Sequence, residues 1–188
     1  MSHDYLVTRR WIAGLSGVGA ANMALGAARQ FGIIRHLPDP PIPGFDSNRV
    51  ITSPPAFALG IPDAPVALTG LLANIPLAFA GGRERSRTTP WLPIVIAAKA
   101  VAEVSVAAWY LVQMRTQVHA WCAYCLFGAS ISATIAVLSI REASDALGGP
   151  TQRIAGALGA VLIAGLAFSA MSYLDRRRAA AGPSLRSG

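Results

Sequence analysis

The sequence predicts an all-α integral membrane protein, on three observations. Of its 188 residues, 53% are hydrophobic and only 13% are charged, a balance too apolar for an ordinary soluble domain. Apolar runs recur at 11–34, 64–82, 91–114, 121–140 and 154–174, and about 20 residues suffice for a helix to cross a hydrocarbon core. The net charge of +7 is almost all arginine and falls in short clusters between those runs. That distribution is a topology signal. It excludes a nucleic-acid surface, which needs the basic residues on one face with aromatics among them.

Residues 1–10 form a polar, cytoplasmic N-terminus ending in Arg9-Arg10, and the first helix follows. Thr8 to Ile12 also resembles a twin-arginine start, with a cut near Ala24 to Ala28. Continuation of the apolar run past Arg29 through Phe31 to Ile34 favours a retained helix instead. Residues 35–65 then carry eight prolines, including Pro40-Pro41 and Pro54-Pro55, so no continuous helix is possible there. The later part, 50–62, is apolar and uncharged, which suits a segment lying on the membrane or capping a site. The alternative is an exposed linker.

The second helix, bent by Pro76, stops at Arg83-Glu84-Arg85-Ser86-Arg87, whose three arginines mark a cytoplasmic loop. Pro90-Trp91-Leu92-Pro93 opens the third helix, and Trp109-Tyr110 near its far end is an interfacial aromatic pair. Lys99 and Glu103 lie four apart on that helix, hence on one face. Arg115 to Ala120 is a short outer loop before the fourth helix. A polar turn with Gly148-Gly149-Pro150 leads to the fifth, which Asp175-Arg176-Arg177-Arg178 ends, and 175–188 reads as a disordered basic tail. With the N-terminus inside, Arg9, Arg10, Arg83, Arg85, Arg87, Arg141 and Arg153 are cytoplasmic. The early helices set this orientation, and Arg176 to Arg178 stand against it.

The only two cysteines of the chain lie in Trp121-Cys122-Ala123-Tyr124-Cys125, at the start of the fourth apolar run. Positions i and i+3 share a helix face, so the sulfurs can meet. The unpaired N–H groups and positive dipole of a first helical turn stabilise a thiolate, the nucleophile of disulfide exchange. The alternative is a pair of small apolar side chains at a helix contact. The topology puts the pair at the outer face, where a disulfide persists.

Several features in order make the chain resemble the vitamin K epoxide reductase family, especially its bacterial members. A first helix is followed by an outer loop with Ser47-Asn48-Arg49-Val50-Ile51-Thr52-Ser53-Pro54. Gly60-Ile61-Pro62 stands at the entry to the second helix, Trp121 to Cys125 begins the fourth, and a fifth helix follows. The resemblance covers roughly Arg10 to Leu174. It implies a four-helix transmembrane bundle around a quinone (ubiquinone or menaquinone), a fifth helix packed outside, and a bacterial inner membrane with the cysteine pair on the periplasmic side. Cys125 would face the quinone and Cys122 would exchange disulfides with a thiol donor. Ser53 and Tyr124 would lie at the quinone. Family members usually carry a second cysteine pair in the outer loop and often a fused thioredoxin-like domain. Neither is found here, and Ser47 occupies the place of the second loop cysteine. A separate thioredoxin-like protein on the outer face would therefore be the thiol partner.

Other readings stay open. The protein could be a non-catalytic membrane subunit or maturation factor. It could bind a soft metal through His119, Cys122 and Cys125, His119 being otherwise a solvated interface residue. Ser53 and His119 lack the glycine context of a hydrolase elbow. Lys99 and Glu103 are either a mutually neutralising pair or a proton or quinone-headgroup relay.

Overall fold

The computed structural model describes residues 5–148 and 150–181. Among them every regular element is helical. The elements are α1 (Leu6–Gln30), α2 (Ser47–Ile51), a 3₁₀ turn (Pro54–Phe57), α3 (Asp63–Phe79), α4 (Arg85–Thr88), α5 (Trp91–Gln113), a π turn (Met114–Val118), α6 (Ala123–Ala146) and α7 (Pro150–Ala181). Three helical stretches are long and apolar enough to cross a membrane: Leu6–Gln30, Trp91–Val118 and Ala123–Ala146. The 17-residue α3 is shorter but also apolar. Trp11, Val18 and Leu25 on α1, Val95 on α5 and Phe127 and Val137 on α6 point outward and are exposed. An apolar outer surface of this kind suits lipid, not water.

Helix α1 packs on α3 and α6, and α5 packs on α6 and α7. Small residues set the approach. A Cβ at Gly19 would stand 3.2 Å from both Ile131 and Leu71, and one at Gly26 3.2 Å from Ala64, the close packing that glycine allows between membrane helices.

Helix ends differ from the hydropathy boundaries for identifiable reasons. Helix α1 stops at Gln30, not at 34, because Gly32 adopts φ +75°. Ile33 N–H then donates to Ala28 O at 2.8 Å and Gly32 N–H to Arg29 O at 3.2 Å, a Schellman closure. At its other end α1 takes in residues 6–10. Helix α6 runs past Arg141 to Ala146, and α7 begins at Pro150 and continues through 175–181. So 175–181, read above as part of a disordered tail, is helix. The remainder of that tail lies outside the described residues.

The early start of α1 and the late end of α6 share one cause. Arg9, Arg85 and Glu142 are buried together, each 2% exposed or less. Arg9 Nη2 lies 2.5 Å from Glu142 Oε1, and Arg85 Nη2 lies 2.8 Å from Glu142 Oε2. The remaining guanidinium donors reach the carbonyls of Leu77, Ala80 and Gly82 at 2.8–3.0 Å. Two of the arginines read from the sequence as cytoplasmic topology markers also serve as internal ties between α1, the α3–α5 connection and α6.

At the opposite end the chain between α1 and α3 folds onto the helices. Leu37, Val50, Ile51, Ala56 and Ala58 are buried in one cluster with Trp109, Met114, Val118 and Cys122. Trp109 and Tyr110, read as an interfacial pair, belong to this core. Leu174 packs against the same cluster and Met171 belongs to it, so Arg176 to Arg178 follow at the Cys122 end.

Candidate functional site

Cys122 is the N-cap of α6, in extended backbone at φ −114°, ψ 117°. Helix α6 therefore starts at Ala123, two residues later than the apolar run. The Cys125 N–H donates to Cys122 Sγ at 3.1 Å, so sulfur takes the place an N-cap oxygen usually fills. The i, i+3 spacing brings the sulfurs together, and Cys122 and Cys125 are joined by a disulfide.

The loop segment 37–48 closes over this turn. Asp46 N–H donates to Trp121 O at 2.9 Å and Trp121 N–H to Gly44 O at 2.8 Å. Ser47, fully buried, accepts the Ala123 N–H at 3.1 Å. Its hydroxyl donates to Asp39, whose carboxylate also accepts the Ser47 N–H at 2.9 Å. The Tyr124 hydroxyl donates to Pro38 O at 2.9 Å. Beneath this cover Cys122 is 0% exposed. The residue expected to meet a thiol donor is sealed in this conformation.

Cys125 faces the other way, into an apolar cavity of about 420 Å³. The walls come from α1 (Met23, Gly26), α3 (Ala64, Ala67, Gly70), α5, the start of α6 and Met171 of α7. On α5 the lining residues Glu103, Val106, Ala107 and Tyr110 follow the helical period, and Met114 of the π turn lies one turn beyond them. Small residues hollow the space: a Cβ at Gly128 would meet Met23 Cε at 2.7 Å.

Polar groups gather at the end of the cavity nearest the loop. Tyr110 Oη donates to Val50 O at 3.2 Å and stands within interaction range of Ser53 and Asp63. Gln30 Nε2 donates to Asp63 Oδ1 at 2.6 Å and to Ile51 O at 3.1 Å, while Gln30 Oε1 accepts the Ala64 N–H at 3.1 Å. One glutamine at the end of α1 thus fixes both the loop and the start of α3. A few fixed polar groups in an apolar pocket are what orient a small amphipathic ligand.

The residues singled out from sequence fall in different places. Cys125 and Tyr124 line the cavity, and Cys122 lies behind it. Ser53 is buried behind the wall, its hydroxyl donating to Val50 O at 2.5 Å and standing within range of Tyr110. Tyr110 is on the wall itself. Glu103 lines the wall while Lys99 bonds to it at 2.5 Å. His119 is exposed, holding the left-handed turn between α5 and α6 at φ 54°. Among the described residues no group of three His, Cys, Asp or Glu side chains could hold a metal ion. Sequence reasoning missed Tyr110 and Met171 as cavity residues. The first was reachable, seven residues along one helix face from Glu103. Met171 carried no signal.

A family model described as the vitamin K epoxide reductase family matches residues 10–140. The match spans α1 to most of α6, and so the cysteine pair, the loop over it and every cavity wall except Met171. No curated protein matches the chain.

Proposed function

The chain belongs to the vitamin K epoxide reductase family, and from that premise we propose that it is a quinone-linked thiol–disulfide oxidoreductase of a bacterial inner membrane. The observation that carries this reading is that Cys125, paired with Cys122, opens on a 420 Å³ apolar cavity. Helices α1, α3, α5 and α6 form the transmembrane bundle, α7 packs outside α5, and the proline-rich loop caps the site at the periplasmic face.

The residues present fit a quinone. The apolar walls suit an isoprenoid chain and ring faces, Tyr110 and Asp63 supply polar groups, and Tyr124 adds a ring beside Cys125. Bound there, a ubiquinone or menaquinone would supply a two-electron acceptor. Reduced Cys122 and Cys125 close their disulfide as two electrons leave through Cys125. Thiols of a separate thioredoxin-like protein reopen it by attack at Cys122. Because Cys122 is sealed, that attack requires segment 37–48 to lift.

The test follows free thiols in the detergent-purified, reduced protein as a short-chain quinone is added. Both thiols are lost as quinol appears, and Cys125→Ser abolishes the reaction. Thiols unchanged at saturating quinone would overturn the reading. The buried Cys122 and the serine at position 47 favour a second reading, a non-catalytic subunit that keeps the bundle. Full biological activity of a Cys122→Ser, Cys125→Ser double variant would select it.

A further inference from the structure

Polar side chains lie deep in the bundle that the sulfur chemistry does not use. Glu103, near the middle of α5, reaches the cavity wall. Its Oε1 accepts from Lys99 Nζ at 2.5 Å, and the same ammonium donates to Asn74 Oδ1 at 2.7 Å and Gly70 O at 2.9 Å. A Cβ at Gly70 would stand 2.5 Å from Glu103 Oε1, so the α3 backbone is bared where the carboxylate sits. Asn74 is 2% exposed and its Nδ2 has no partner.

Two more unpartnered groups lie on neighbouring helices. Ser16 of α1 and Ser139 of α6 are 0% and 3% exposed, and neither hydroxyl has a partner. Ser16 stands between Ile12 and Ala20, Asn74 between Leu71 and Ala78, and Ser139 just past Ile135 and Ala136. All of these neighbours belong to one core cluster. At spacings of three and four the polar groups share their faces, so all three project into the same interior. The faces of Ser16 and Ser139 continue to Arg9 and Glu142, seven and three residues away. Buried polar atoms are ordinarily hydrogen-bonded, to protein or to ordered water, and each one that is not costs on the order of 1–3 kcal/mol. The three make no hydrogen bond to one another and share one apolar core beside the Lys99–Glu103 pair; ordered water is what joins buried polar groups placed in this way.

We propose that Glu103 is a proton-transfer group of the cavity, supplied from the Arg9–Arg85–Glu142 end of the bundle by water held along Ser139, Ser16 and Asn74. Lys99 and Asn74 position the carboxylate. The purpose of the path rests on the quinone reading. Oxidation of Cys122 and Cys125 to the disulfide releases two electrons and two protons, and forming a quinol takes up two of each. The thiol protons leave at the Cys122 end. Glu103 delivers those the quinol takes up and is reloaded from the opposite end. The sum is dithiol plus quinone giving disulfide plus quinol, with two protons displaced across the bundle.

The decisive test needs no quinone. The ligand-free protein is placed in vesicles in a known orientation, and the Glu103 carboxyl infrared band is assigned by its loss in Glu103→Gln. A pH step is then applied to either face. The band follows a step at the Arg9 face and responds several-fold more slowly in Ser139→Ala. A band that follows only the Cys122 face, or neither, overturns the path. A second arm uses turnover with a short-chain quinone. Glu103→Gln slows it by about tenfold or more, general-acid contributions being on the order of 10²-fold or greater. The apolar double variant Lys99→Met, Glu103→Leu is equally slow, although it removes the ion pair without leaving a lone charge. Full turnover in that variant would make the pair merely structural and sink the proposal. A wild-type protein whose thiols ignore quinone fails the quinone reading alone, and the infrared arm still decides the path.

Discussion

Ser47 Oγ accepts the backbone N–H of Ala123 at 3.1 Å, which sets the side chain of residue 47 against the residue that follows Cys122. A sulfur at this position would adjoin the buried sulfur. In a Ser47→Cys, Cys125→Ser variant we expect a 47–122 disulfide to form on mild oxidation, seen as a cross-linked peptide by mass spectrometry without reduction. Failure to cross-link would mean that the loop does not hold this register over the helix start.

The same loop controls access to Cys122. Tyr124 Oη ties it down through Pro38 O at 2.9 Å. Loss of one such hydrogen bond weakens closure by about 1 kcal/mol, a factor of about five in the opening equilibrium. In the reduced protein, Tyr124→Phe is therefore expected to raise the alkylation rate of Cys122 by a water-soluble maleimide about fivefold. Cys125, reached from the cavity, should change little.

These two relationships mark the limit of what the residues disclose in order. Hydropathy is local, so the apolar runs announced α1, α3, α5, α6 and α7, but it passed over the backbone preferences of Gly32 and Pro150, carrying the first run to 34 and starting the last at 154. The cysteine pair was legible because its spacing is also local. The partners of Glu142 come from 133 and 57 residues away, and no local pattern pairs them. Ser53 was placed at the ligand by resemblance, and the structure adds that Tyr110, beside it, is the residue on the cavity wall. That outcome depends on how the loop seats on α5, a tertiary matter.

The Arg9–Glu142–Arg85 cluster gives the sharpest expected effect on stability. Its three side chains are almost completely buried. Glu142→Gln removes the negative charge from between two guanidiniums, and breaking a buried ion pair costs about 3–5 kcal/mol. By contrast the exposed Tyr5 Oη to Asp145 bond at 2.6 Å should cost within about 0.5 kcal/mol when Asp145 becomes Asn. Denaturant titrations of the two variants in one detergent should separate them plainly. Equal stability would mean the cluster is hydrated.

Met171 carries the last prediction, because α7 lies beyond the matched family residues and yet closes the cavity wall. Met171 is 7% exposed and packs with the cluster around Trp109. Met171→Leu nearly conserves volume and should cost less than about 1.5 kcal/mol. Met171→Phe adds bulk to a cavity wall and should weaken equilibrium binding of a quinone several-fold while the thiols remain oxidisable at saturation. If Phe leaves binding untouched, the ligand does not reach α7. The wall from Met171 would then serve packing alone, and the cavity's working volume would end at α5.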